Sequence, residues 1–213
     1  MKKIAVLVSG GGTNLQALID AKGRGEIPNG EFAAVVSSSP TAYALERAAK
    51  AGIPGYVLPR KDYPNAQTMT QALVDMLKHL KIDLVVLAGC MVIFTEELVQ
   101  AYPNAVINVH PALIPSFCGK GCYGLHVHEL ALAYGVKVSG ATVHFVTAEC
   151  DAGPIIAQQA VPVYHDDTPE LLQRRIMEQA EWKLLPQAVT LCCQGRLRVE
   201  GRTVIVDREE KTV

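Results

Sequence analysis

Lys3-Ile4-Ala5-Val6-Leu7-Val8-Ser9-Gly10-Gly11-Gly12-Thr13-Asn14-Leu15 decides the fold. A short apolar run of β type ends in three glycines. A segment over 13–22 follows, with Leu15, Leu18 and Ile19 at the spacing of one helical face. A strand that glycine turns into a helix is the opening unit of a βαβ chain. Working outward, 32–37 reads as a second strand, 43–51 as a helix closed by Gly52, 55–58 as a short strand and 66–80 as a longer helix. Residues 82–88 are nearly continuous in apolar side chains, as a strand covered on both faces should be. Helix 96–101 and strand 105–109 complete the alternation, which implies a mostly parallel, twisted sheet with helices on both faces: an α/β, Rossmann-like architecture.

Beyond residue 110 the character changes. A Gly/Pro-rich loop over 111–124 leads to a helix at 125–133. Two long strands, 136–146 and 154–163, flank a turn-rich segment, 147–153. A final amphipathic helix is expected over 169–185, then a small C-terminal hairpin from 197–199 and 203–206 around Glu200-Gly201. No Ser/Gly/Pro-rich linker divides the 213 residues, so they read as one domain. Residues 1–100 form a nucleotide- or phosphate-binding half, 101–190 a catalytic half, and 191–213 the hairpin and tail.

With 20 Lys+Arg against 21 Asp+Glu, 49% hydrophobic and 19% charged residues, the chain is neither disordered nor basic enough to track nucleic acid or an anionic membrane. Any phosphate it handles must be held at a local site. The Met-Lys-Lys start precedes too short an apolar run for a signal peptide, and no stretch approaches the ~18–20 apolar residues of a membrane span. Cys90, Cys118, Cys122, Cys150, Cys192 and Cys193 contain no CxxC pair and read as free thiols, so a cytoplasmic protein is expected.

Three places carry chemistry. In the loop Ser9–Asn14 the glycines let a ligand approach the backbone, and the free N–H groups of a helix start attract an anion. Thr13 could cap that helix or give its hydroxyl to a phosphate, and Asn14 can donate from its amide. The pattern is neither Walker A nor G-x-G-x-x-G, and a single phosphate fits better than a dinucleotide. Asn108 and His110, two apart before Pro111, share one face at the C-terminal edge of the sheet, where open α/β proteins bind ligands. Such a pair can stabilise an oxyanion and move a proton at one carbonyl carbon, or it is simply a satisfied polar pair at a strand end. Asp151 lies in a turn before an apolar strand; beside His110 it would orient the ring and raise its pKa. No G-x-S-x-G elbow or Cys–His arrangement is present, which favours direct transfer between bound substrates. His126 and His128 lack partners for a metal site, His144 points into the cleft or packs, and His79 and His165 are expected to face solvent.

Taken together, Ser9-Gly-Gly-Gly-Thr-Asn14-Leu-Gln, Leu87-Ala-Gly-Cys-Met91, Ile107-Asn-Val-His-Pro-Ala-Leu-Ile-Pro115 and His144-Phe-Val-Thr-Ala-Glu-Cys-Asp151-Ala-Gly-Pro154 resemble the phosphoribosylglycinamide formyltransferase family, in family order over about 190 residues. The resemblance implies a transferase that moves the formyl group of 10-formyltetrahydrofolate to glycinamide ribonucleotide in de novo purine biosynthesis, without a metal, as a monomer or homodimer. By position, Asn108, His110 and Asp151 match the catalytic trio. Gly11, Gly12, Thr13 and Asn14 match the phosphate loop, and Glu181 matches the glutamate contacting the sugar or glycinamide part. Met91, Val92, Ile93, His144 and Val146 match the folate cleft.

Two departures stand out. Val92 stands where the family often has arginine for the folate tail, making Arg60 or Lys61 candidates by proximity. The glycine-rich loop 116–124 is longer than in some members and reads as a lid. Within the superfamily the rival reading is formyltetrahydrofolate deformylase, which gives the formyl group to water; those proteins usually carry an N-terminal regulatory domain that the pattern starting at Lys3 leaves no room for. A non-catalytic folate- or nucleotide-binding protein is the reading from another class.

Overall fold

A computed structural model of the chain describes residues 1–207. Its centre is β1 (Lys2–Val8), whose alternate residues serve opposite sides. Ile4, Val6 and Val8 enter one buried cluster, and Ala5 and Leu7 enter the other. Parallel partners spread outward from it: β2 (Gly30–Ser37) and β3 (Gly55–Val57) on one flank, β4 (Leu84–Leu87) and β5 (Val106–His110) on the other. The next strand, β6 (Val138–Phe145), pairs antiparallel with β5, and β7 (Ile155–Pro162) pairs antiparallel with β6. A terminal hairpin of β8 (Leu197–Glu200) and β9 (Thr203–Val206) extends the sheet, because β9 bridges to β7 in parallel at Ile155 and Thr203. Among the described residues the order is β3-β2-β1-β4-β5-β6-β7-β9-β8.

Helices cover both faces. The side of Ile4 and Val6 is closed by α1 (Thr13–Gly23), α2 (Tyr43–Lys50), α5 (His126–Tyr134), α6 (Pro169–Ile176) and α7 (Trp182–Gln194). On the side of Ala5 and Leu7 lie α3 (Ala66–His79) and α4 (Glu96–Ala101). Local chemistry sets several of these boundaries. Asn65 accepts the Thr68 backbone N–H at 2.8 Å in a capping box that starts α3. Met69, Leu73, Val74 and Leu77 then fall on its buried stripe. Thr168 caps α6 ahead of Pro169, and proline at a first helical position forfeits no bond.

The structure corrects the single helix expected over 169–185. The chain runs α6, a π turn over Met177–Glu181, and then α7, which continues through Pro186 to Gln194. Proline has no N–H for the preceding turn, yet Leu184, Leu185, Pro186, Ala188 and Val189 are all buried, and that packing outweighs the lost hydrogen bond. The π turn also rotates Glu181 inward; its residue exposure is 6%.

Candidate active site

The last parallel strand and the first antiparallel one meet at β5 and β6. Side chains alternate along β5, so Asn108 and His110 face the same way, and Pro111 ends the strand immediately beyond them. Register places His144 of β6 directly opposite Asn108. The Asn108 amide Nδ2 lies 3.2 Å from His144 Nε2, and His144 Nδ1 lies 2.8 Å from the Phe145 carbonyl. That carbonyl takes the Nδ1 hydrogen, which leaves Nε2 to accept from Asn108.

Asp151 reaches this pair from the turn between β6 and β7. Two backbone features deliver it. Its own φ is +54°, a left-handed conformation that aspartate tolerates better than most residues. Close behind, Gly153 packs so tightly that a Cβ there would collide with the Phe145 carbonyl oxygen. Asp151 Oδ1 lies 3.4 Å from Asn108 Nδ2 and 3.6 Å from His144 Nε2, while Oδ2 lies 3.6 Å from His110 Nδ1. The loop 116–124 sits directly on this group. The Gly119 N–H donates to Asp151 Oδ2 at 2.9 Å, and the Phe117 carbonyl accepts from His110 Nε2 at 2.8 Å.

Burial and charge oppose one another here. Burial by itself would raise the Asp151 pKa, but the neighbouring His144 and His110 rings and the Gly119 N–H outweigh it and hold the carboxyl down at about 2. Burial pulls the His110 pKa below its ordinary value, against the opposing pull of Asp151 and the Phe117 carbonyl. An ionised carboxylate therefore faces a neutral imidazole at neutral pH. Cys150 is pushed up to about 11 by burial and by Asp151, so it offers no thiolate nucleophile.

Gly12 sits at the N-cap of α1 with φ +70°, and no side chain caps the helix, so Thr13 is the first helical residue and not the cap. A Cβ at Gly12 would lie 2.6 Å from the Ala44 Cβ, which requires glycine twice over. Three successive carbonyls are tied down behind the loop: Gly10 accepts from the Ala44 N–H at 3.1 Å, Gly11 from Arg47 Nε at 2.9 Å, and Gly12 from the Gln16 N–H at 2.9 Å. In a trans peptide the N–H points opposite to the preceding carbonyl. The N–H groups of Gly11, Gly12 and Thr13 therefore face the other way, and none meets a partner among the described residues. Such a row of amides at a helix start forms an anion nest. On the next residue, the Asn14 amide donates to Glu181 at 2.7 Å. Burial raises the Glu181 pKa to about 7, with the Asn14 bond opposing.

The start of α1 and the trio open into one cleft of about 600 Å³: Thr13, Asn14 and Glu181 line it together with Asn108, His110 and Asp151, while Gly11 and Gly12 lie outside its lining. Met91, Val92, Ile93, His144 and Val146 line it too, Met91 and Ile93 as exposed apolar side chains. Ser9, at the head of the glycine loop, accepts the Met91 N–H on its Oγ at 2.8 Å. His144 thus sits against Asn108 and Asp151 within the polar cluster, while the other four form an apolar wall. Arg60 and Lys61 are not among the lining residues. His79 and His165 are exposed, and no cluster able to hold a metal occurs among the described residues.

Several contributors carried no sequence signal. Phe117 and Gly119 act through the backbone. Arg47 stands on α2, remote in sequence from every motif. His128 is 1% exposed beside the cleft with both ring nitrogens unpartnered, and burial followed by the neighbouring His110 pulls its pKa to about 4.

The chain is similar to known proteins along nearly its whole length. A family model described as formyl transferase matches residues 2–189. The phosphoribosylglycinamide formyltransferase of Haemophilus influenzae is 41% identical over 207 residues, covering 97% of this chain and 94% of its own. The crystal structure of glycinamide ribonucleotide transformylase 1 from Symbiobacterium toebii is similar with a TM-score of 0.92 and 45% identity, covering 98% and 95% of the two chains. A formyltetrahydrofolate deformylase from Pseudomonas syringae has a TM-score of 0.87 at 28% identity, covering 97% of this chain and 66% of its own.

Proposed function

The chain belongs to the formyl transferase family, and on that premise we propose how its residues carry the reaction of the phosphoribosylglycinamide formyltransferases. The enzyme transfers the formyl group of 10-formyltetrahydrofolate to the amine of glycinamide ribonucleotide, giving formylglycinamide ribonucleotide in purine biosynthesis. The observation that carries this reading is the single cleft lined both by Thr13 and Asn14 at the start of α1 and by a carboxylate–imidazole–amide cluster. The helix start suits a phosphate, and the apolar wall of Met91, Val92, Ile93 and Val146 suits a pterin ring.

The formyl carbon is the electrophile that the folate brings. The acceptor's neutral amine forms a C–N bond to it, the bond to the folate nitrogen breaks, and one proton moves from the first nitrogen to the second. Charge develops on the formyl oxygen, which Asn108 Nδ2 is placed to stabilise, joined by His110 Nδ1 once the proton released by the amine reaches it. The Asn108 bond to Asp151 at 3.4 Å is long enough to yield to that oxygen. Asp151, ionised at neutral pH, takes the amine proton directly or through water and passes it to His110 Nδ1, whose lowered pKa lets the ring release that same proton to the departing folate nitrogen. Gly11, Gly12 and Thr13 hold the ribonucleotide phosphate, while Asn14 and Glu181 face its sugar or glycinamide part. Residues 1–100 supply the phosphate end and 101–190 the chemistry; of the segment 191–213, the hairpin of β8 and β9 ends the sheet, and 208–213 lie outside the described residues. Six unpaired thiols support a reducing compartment such as the cytoplasm. No helix among the described residues is long and apolar enough to cross a membrane.

Fold likeness to a deformylase means that architecture alone does not separate transfer from hydrolysis. The nest supports transfer, since water as acceptor needs no anion site. The test is a spectrophotometric assay with 10-formyltetrahydrofolate, with and without glycinamide ribonucleotide. Tetrahydrofolate formed only with the ribonucleotide is expected. Formate released in its absence would turn the assignment to hydrolysis.

A further inference from the structure

We propose that Arg47 is a positioning residue that aims the phosphate loop, by holding the Gly11 carbonyl on the rear of the loop so that the Gly12 N–H faces the ligand. Of the three carbonyls fastened behind the nest, Gly10 and Gly12 are held by backbone N–H groups of Ala44 and Gln16. Only Gly11 is held by a side chain, through Arg47 Nε at 2.9 Å. Its bond therefore depends on the sequence in a way the other two do not.

The guanidinium is fixed in turn. Arg47 Nη1 donates to Gln16 Oε1 at 2.9 Å, and its Cζ stands 5.0 Å from the centroid of the Tyr43 ring. Gln16 follows the loop on α1, and Tyr43 precedes Arg47 on α2. Arg47 thus clamps the two helix starts with the Gly11–Gly12 peptide between them. A Cβ built on Gly10 or Gly11 would meet nothing within 4 Å, so no other protein atom crowds these two residues.

The Gly11–Gly12 peptide needs such a clamp because glycine flanks it on both sides, and a peptide plane between two glycines rotates with little steric cost. Released, it can flip and turn a carbonyl oxygen, with its partial negative charge, toward the anion. Arg47 prevents that flip, and its positive charge behind the nest adds to the field of the α1 N-terminus. The clamp would act on affinity for the phosphorylated substrate and leave the reacting groups at Asn108, His110 and Asp151 undisturbed.

This inference rests on the phosphate reading of the loop, and one experiment separates the two. Intact enzyme and the variants Arg47→Met and Arg47→Lys are assayed on glycinamide ribonucleotide and on its dephosphorylated nucleoside, with thermal midpoints as a check on folding. Wild type should prefer the phosphorylated substrate. Arg47→Met should lose about 10- to 100-fold of that preference, through KM for the ribonucleotide, the scale of one charge-assisted hydrogen bond. Its kcat and the KM for the folate should stay within about 2-fold. Arg47→Lys, which keeps the charge but not the directed Nε–H, should recover only part. An Arg47→Met enzyme with wild-type preference overturns the proposal, as does full recovery by lysine, which would reduce Arg47 to a charge. A wild-type enzyme indifferent to the phosphate sinks the loop reading itself.

Discussion

Asp151 Oδ2 stands 3.6 Å from His110 Nδ1, while the far nitrogen of the same ring gives its hydrogen to the Phe117 carbonyl at 2.8 Å. With Nε2 so occupied, Nδ1 is the ring position left to exchange a proton. At 3.6 Å the carboxylate and Nδ1 are too far apart for a direct hydrogen bond and close enough to share one through a substrate nitrogen or a water. Asp151 is in turn kept ionised by Gly119 and His144, so the acceptor is charged before any substrate arrives.

Asp151→Asn removes that acceptor without changing the size of the side chain. Turnover should fall by about 10²- to 10⁴-fold, the usual span of general-base catalysis, with ligand dissociation constants nearly unchanged. Steady-state kinetics with a binding titration checks this. Equal loss of binding and turnover would make Asp151 a structural residue of the turn.

His110 should titrate below 6.5, because burial dominates its environment. Asp151 is the largest influence pulling the other way, so Asp151→Asn should lower the midpoint further. Imidazole proton shifts followed by NMR against pH read this directly, and an upward shift in the variant would contradict the assignment.

Glu181 predicts a pH dependence of stability. Burial raises its folded pKa to about 7 from an ordinary 4.5. The folded state therefore binds this proton more tightly than the unfolded state, so the contribution is full below pH 4.5 and is lost as pH rises through about 7. That rise corresponds to a loss of up to about 3 kcal/mol across that window. Glu181→Gln should flatten this part of the denaturant-midpoint profile; an unchanged slope would place its origin elsewhere.

Gly12→Ala should distort the phosphate loop, since the new Cβ meets Ala44 at 2.6 Å and the backbone keeps φ +70°. A rise in KM for the ribonucleotide beyond any change in kcat is expected. Pairing it with Ala44→Gly removes the contact with the Ala44 Cβ but leaves that with its Cα at 2.9 Å and the unfavourable φ, so recovery in the double variant measures the side-chain part of the collision. No recovery would leave the backbone contact and conformation as the cause.

Thr13→Val keeps the shape of the first helical residue and removes its hydroxyl, whose nearest protein partner is the weakly accepting Met177 sulfur at 3.8 Å. KM for the phosphorylated substrate should rise more than kcat falls. A variant with an unchanged KM would show that the hydroxyl does not meet the ligand.

Much of the scaffold was legible because it follows from local periodicity. An apolar run ending in glycine reads as strand, turn and helix wherever it occurs, and a two-residue spacing puts Asn108 and His110 on one face whatever their neighbours. The length of the last helix was not legible. Pro186 signals a stop when only local hydrogen bonds are weighed, whereas the buried residues that carry α7 past it belong to other elements of the core.

The sequence by itself determined which groups could do chemistry: a glycine loop with a free helix start, an amide and an imidazole at a strand end, and an aspartate in a turn. Only the tertiary structure decided that they meet. Strand order brings β6 beside β5 and sets His144 opposite Asn108. Packing carries Glu181 to Asn14 across 167 positions and Arg47 to Gly11 across 36. Periodicity is written into consecutive residues by backbone geometry. Contacts between distant segments arise from the burial of whole faces against one another, which no local stretch of the chain encodes.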